Sequence, residues 1–104
     1  MQLAKSSRSG SIRSIAICAG SGASVFKELK KDVDVLFTGE LSHHEVLAAV
    51  AKEQHVILCG HTNTERGFLK VLQKELQQDL DNAAGKSKVD VKISTADHDP
   101  LEIV

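Results

Sequence analysis

A histidine and a glutamate stand four positions apart in VILCGHTNTERGFL, residues 56–69, where an apolar run stops at a glycine and a helical pattern follows. A neutral imidazole at His61 and a carboxylate at Glu65, placed around the first turn of a helix, can converge on one divalent ion with bonds of roughly 2.0–2.2 Å to zinc. The same residues carry a second reading: Thr62-x-x-Glu65 is a capping box, in which Glu65 serves the backbone. On spacing alone the two readings of Glu65 are evenly matched. Two ligands do not make a metal site, and the further donors are Glu40, His43 and His44 in TGELSHHE, residues 38–45, with Asp97 and His98 near the end of the chain. Glu40 follows an apolar run and has no capping partner in the local pattern. Ser42-x-x-Glu45 is another capping box and gives Glu45 a structural job. Neighbouring side chains on a helix diverge by about 100°, so His43 and His44 cannot both grip one ion, and at most one of them faces a site. His55, between a polar turn and an apolar run, is read as structural.

A third stretch, AGSGAS (19–24), lets backbone amides approach an anion at a helix start. It lacks the third glycine of a dinucleotide fingerprint and the lysine of a phosphate-binding loop. A tight turn from strand to helix, capped by Ser21 or Ser24, is the better reading.

These residues need elements to position them. SIRSIAIC (11–18), VDVLFT (33–38) and HVILC (55–59) are short β-branched apolar runs bounded by glycine or polar residues, and VDVKIS (89–94) alternates as a half-exposed or edge strand does. Helical spacing falls between them: Val25, Phe26 and Leu29; then Val46, Leu47, Val50 and Ala51; then Phe68, Leu72, Leu76 and Leu80 at four-residue steps, with Leu69 widening the stripe. A turn is expected at NAAGKSK, residues 82–88. The order β-α-β-α-β-α-β implies an α/β fold with a largely parallel sheet and helices packed on it. In such a sheet the first three strand ends share one edge, where open α/β folds bind ligands. Gly20, Ser21, Gly22, Glu40, His43, His44 and Thr64 are therefore expected to line a site around His61 and Glu65.

Composition bounds the function. At 104 residues, 41% hydrophobic and 26% charged, the chain fits one α/β domain over 12–104 behind a flexible lead-in at 1–11. A net charge of −1 gives no long-range pull toward nucleic acid or an anionic membrane, and three phenylalanines without Trp or Tyr leave little for base stacking. No apolar run approaches the roughly 20 residues of a membrane span. Cys18 and Cys59 sit in apolar runs and read as buried free thiols in a reducing compartment. The expected location is cytoplasmic, with the nucleus or mitochondrion as alternatives.

In this order and at this spacing, IAICAGSGASV, DVLFTGELSHHEVLAA and VILCGHTNTERGFL resemble the carboxyl-terminal part of the NIF-three-like family, the GTP cyclohydrolase I type 2 homologues. The ending DHDPLEIV resembles the eukaryotic members, and the likeness covers about residues 12–104. It implies a larger α/β protein with a two-metal centre, in which the Gly-His-x-x-x-Glu segment supplies ligands; here these are His61 and Glu65. The family's amino-terminal half, with its adjacent His pair and aspartate, has no counterpart here. His43 and His44 are not that pair and fall in a polar stretch lining the site. The resemblance thus implies a fragment that contributes ligands for zinc, manganese or iron and is inactive alone, with hydrolase-type chemistry in the whole. The alternative it implies is a non-catalytic interaction module that acts with transcription regulators. Either way a homo-oligomer is expected, because a chain of this length exposes apolar sheet that longer relatives cover.

Overall fold

The first three apolar runs form parallel neighbours in one sheet. In the computed structural model, which describes residues 1–83 and 89–102, these are β2 (Ile15–Ser21), β3 (Val35–Glu40) and β4 (His55–Leu58), and β1 (Gln2–Ala4) pairs antiparallel with β4. The order across the sheet is β1-β4-β3-β2. The fold is α/β as the alternation implies, with a mostly parallel sheet and one antiparallel pair. Strand β1 lies within the segment read as a lead-in: Gln2, Leu3 and Ala4 match Leu58, Ile57 and Val56 in register. The chain divides into two compact units, Met1–Glu65 and Arg66–Val104.

In the first unit, side-chain alternation directs Ala4, Ala16, Leu36, Val56 and Leu58 to one face, where they pack with Phe26 of α1 (Ala23–Lys27) and with Val46 and Ala49 of α2 (His43–Ala51). Val56 is fully buried. The opposite face carries an apolar row in register across all four strands: Leu3, Ile57, Phe37 and Ile17. Leu3 and Ile17 are 57% and 73% exposed.

Polar contacts set the element ends. Strand β2 begins at Ile15 rather than residue 11 because the Arg13 and Ser14 amides donate instead to the buried Asp34 carboxylate, at 2.7 and 2.9 Å. Arg8 pairs with the same group at 2.6 Å. The Arg13 amide is the chief cause that holds the Asp34 carboxyl below its ordinary value of 3.8. That contribution to stability is therefore present above pH 3.8 and is lost as pH falls through the lowered value. The Ser42/Glu45 capping box forms: the Ser42 amide donates to Glu45 Oε2 at 2.9 Å and the Glu45 amide to Ser42 Oγ at 3.3 Å. Helix α1 has no side-chain cap; its N-cap is Gly22, which puts Ser21 on the strand and Ser24 inside the first turn, against the expected serine cap.

In the second unit α3 runs from Leu69 to Ala83. The turn expected at 82–88 lies largely outside the described residues. Among the described residues, 89–94 join no strand ladder. Gln73 Nε2 donates to the Val91 carbonyl (2.7 Å), Gln77 Nε2 to the Val89 carbonyl (2.8 Å), and the Val91 amide to Gln77 Oε1 (2.9 Å). The alternation is real, since Val91 and Ile93 are half-buried, but helix side chains replace a neighbouring strand as hydrogen-bond partners. Phe68, Leu72 and Leu76 of the expected stripe stay exposed, whereas Leu69 and Leu80 are half-buried.

Leu36, at the centre of the first unit's core, is 6% exposed. Leu36→Ala is expected to lower unfolding free energy by about 2–5 kcal/mol, read from the midpoint of urea denaturation.

Candidate functional site

The carboxyl ends of β2, β3 and β4 meet where backbone approaches backbone. The Cys59 amide donates to the Thr38 carbonyl at 3.0 Å and the Gly60 amide to the Gly39 carbonyl at 2.9 Å, so the β3 ladder continues past β4 into the His61 turn. A Cβ built on Gly39 would lie 2.6 Å from the Gly20 carbonyl oxygen, 2.8 Å from His61 Cα and 2.8 Å from Thr64 Oγ1. Only a bare Cα fits there. The chain leaves β2 through Gly20 at φ +63, a left-handed conformation that glycine adopts without strain. A Cβ on Gly20 would collide with Glu65 Oε1 and lie 3.1 Å from His61 Nε2.

Thr64 latches these segments together. Its Oγ1 accepts from the Gly20 amide at 2.8 Å and donates to the His61 carbonyl at 2.7 Å. The Thr38 hydroxyl, fully buried, donates to the Gly20 carbonyl at 3.0 Å. The Gly20 amide is thus committed within the fold, which argues against the anion-loop reading of AGSGAS. Gly22 is buried, and a Cβ there would meet the Phe26 ring at 2.6 Å.

His61 is held between two carboxylates. Its Nδ1 lies 2.8 Å from Glu40 Oε1 and its Nε2 3.3 Å from Glu65 Oε1. Glu65 does not stand in the first turn of a helix, where the expected capping box would place it. The turn that starts here is 3₁₀ over Thr62–Thr64, its N-cap is His61 with no side-chain cap, and α3 begins only at Leu69. The hydrogen bond with Glu40 is the main cause that raises the His61 pKa above its ordinary 6.5; partial desolvation opposes it, and the charges of Glu65 and Glu40 reinforce it. The ion pairing is complete below pH 6.5 and is lost as pH rises through the raised value. With the imidazole side chain 45% exposed, solvent screens much of that energy.

The other expected lining residues are placed as follows. Ser21 pairs in register with Glu40 across the β2/β3 edge. His43 and His44 stand exposed on the first turn of α2, their rings edge to face at 6.0 Å. His55 Nδ1 accepts from the Ser6 amide at 3.1 Å, which suits its structural reading. In the second unit Arg66 holds Asp97 at 2.6 Å, and His98 Nδ1 contacts the Ala96 carbonyl oxygen at 3.0 Å. Cys18 and Cys59 are free and half-buried. Among the described residues no group of three or more His, Cys, Asp or Glu side chains is gathered to hold one ion. The Gly39 seat went unread in the sequence, although a glycine inside a β-branched run is itself a sign of close backbone approach.

A sequence model of the Duf34/NIF3 family (NGG1p interacting factor 3) matches residues 1–100. The chain is 49% identical over 92 residues to NGG1-interacting factor 3 of Saccharomyces cerevisiae, which covers 88% of this chain and 30% of that protein. It is 43% identical over 93 residues to NIF3-like protein 1 of Homo sapiens, covering 89% and 23%. A crystal structure of a Bacillus cereus protein related to NIF3 superposes with a TM-score of 0.67 at 28% identity, over 89% of this chain and 25% of that one. The chain therefore spans between 23% and 30% of the length of these relatives.

Two outcomes follow from the seat and the carboxylate pair. Gly39→Ala is expected to cost about 1–3 kcal/mol in urea denaturation, because its neighbours at the clash include backbone that cannot swing away. In an NMR titration His61 is expected to show a midpoint above 6.5, while His61 in Gly20→Ala, where the new Cβ displaces Glu65, titrates lower than in the unmodified chain.

Proposed function

The chain belongs to the Duf34/NIF3 family, and on that footing we propose that it contributes His61 and Glu65 as two ligands of a divalent-metal centre completed by donors from outside these residues. The observation that carries this reading is the 3.3 Å separation of His61 Nε2 and Glu65 Oε1. Two donors on a tetrahedral ion with bonds of about 2.0–2.1 Å are separated by about 3.4 Å, so the pair fits an ion with little rearrangement. Imidazole and carboxylate donors suit zinc, manganese or iron. Glu40 faces the other ring nitrogen and lies outside the set that could share an ion through Nε2. Gly20, Gly39 and Thr64 line the site as backbone and latch, with Ser21 beside Glu40 at its edge, whereas Gly22 packs against Phe26.

A divalent ion at this position supplies Lewis acidity suited to hydrolytic chemistry on phosphate or ring substrates. The residues of this chain do the holding. His61 ligates only as neutral imidazole, and Glu65 brings the anion. With two protein donors the chain alone binds weakly and is inactive, since structural and catalytic centres rest on three or four.

One observation favours a second reading, an interaction module that acts with transcription regulators: the yeast relative is named as an NGG1-interacting factor. The row of Leu3, Ile57, Phe37 and Ile17, exposed at Leu3 and Ile17 and half-buried between them, is an apolar surface that a homo-oligomer or a protein partner could cover. A cytoplasmic or nuclear location suits both readings.

Calorimetric titration with zinc separates them. The unmodified chain is expected to bind one ion weakly, with affinity falling as pH drops through the raised His61 pKa, because protons compete for Nε2. His61→Ala and Glu65→Gln are each expected to weaken binding by about tenfold or more, equivalent to about 1.4 kcal/mol. Equal affinities in all three proteins, or no binding by the unmodified chain, would leave the interaction module as the function.

A further inference from the structure

We propose that Glu40 is a positioning residue for the His61 ligand: it accepts the Nδ1 proton and so leaves the Nε2 lone pair free and directed toward Glu65. This rests on the metal-ligand reading above and assigns a role that spacing did not suggest, since Glu40 lies 21 positions before His61.

Three observations carry it. The contact is short, 2.8 Å between Glu40 Oε1 and His61 Nδ1, as expected of a charge-assisted hydrogen bond. Its geometry is built into the fold: Glu40 ends β3, and the bond from the Gly60 amide to the Gly39 carbonyl ties the preceding residue of β3 to the residue before His61. Both side chains thus leave backbone fixed by one ladder, and the seat at Gly39 fixes His61 Cα beside it. The third observation is division of labour on the ring. Glu40 and Glu65 meet different nitrogens, and the contact on Nδ1 is the shorter, at 2.8 Å against 3.3 Å on Nε2.

The chemistry explains why such a residue is needed. A neutral imidazole in water prefers its proton on Nε2, the nitrogen that faces Glu65. With the proton there, Nε2 has no lone pair to offer and instead donates to Glu65. A carboxylate on Nδ1 reverses the preference, locks the ring plane and makes Nε2 more basic. An ion pair that merely supported the fold would have none of these consequences for the tautomer.

The test uses the 104-residue chain itself. At a pH above the His61 titration, nitrogen-15 NMR of the metal-free protein is expected to show the Nδ1–H tautomer, with the His61 signals assigned by their loss in His61→Ala. Glu40→Ala and Glu40→Asp, the latter too short to reach, are expected to move the proton to Nε2 and to weaken zinc binding about 10–100-fold. Glu40→Gln, whose amide oxygen still accepts from Nδ1–H, is expected to keep the tautomer and recover most of the affinity. The Glu40 side chain is 56% exposed, so its removal leaves no buried cavity, and circular dichroism verifies the fold. An unchanged tautomer in both Glu40→Ala and Glu40→Asp would overturn the proposal, as would zinc affinity within twofold of the unmodified chain. Absence of zinc binding by the unmodified chain would sink the ligand reading alone, because the tautomer in metal-free protein still decides what Glu40 does.

Discussion

The missing side chain at Gly39 is the constraint on which the candidate site depends. At that point the end of β3 touches the Gly20 carbonyl on one side and the His61 backbone on the other, and a single methyl group would separate them. Because the approach is this close, the β3 ladder extends through Gly60, Thr64 can reach from the turn to the Gly20 amide, and Thr38 can close onto the Gly20 carbonyl. Each bond satisfies a backbone group that would otherwise be stranded near the sheet edge. The turn bearing His61 and Glu65 is held by the sheet rather than by a helix start, which distinguishes it from the capped helix that the Thr-x-x-Glu pattern suggests.

Electrostatics then acts on a geometry already set. Glu40 and Glu65 flank one imidazole, and without a cation they hold a proton on it more firmly than water does. The ion proposed above would have to displace that proton from Nε2, so the arrangement that raises proton affinity would also set the pH range in which the ion could bind. Asp34 offers a contrast at the other end of the same strand run. It is buried and satisfied by two amides and Arg8, and its charge sets where β2 begins and fastens the residues before it.

The two faces of the sheet have different fates. One is packed by α1 and α2 around Leu36, Val56 and Ala49, while the other presents Leu3 and Ile17 to solvent. The chain that carries this surface spans between 23% and 30% of the length of the relatives it matches.

Alternation of apolar runs with helical spacing was enough to determine an α/β chain with a largely parallel sheet, since those periodicities follow directly from backbone geometry, whereas the strand order β1-β4-β3-β2 came only with the fold. The Ser42/Glu45 cap was also legible, because both partners lie within one turn. The convergence of three strand ends could be read from the same logic. What only the tertiary structure decided involves partners far apart in the chain. Glu40 reaches His61, Thr64 reaches Gly20, and Gln73 and Gln77 replace a strand beside Val89 and Val91. Local spacing could not choose between a cap and a ligand for Glu65, because both need the same i+3 or i+4 geometry. In the fold Glu65 meets the His61 ring at 3.3 Å, where the bare Cα atoms of Gly20 and Gly39 on other strands leave room for the two side chains.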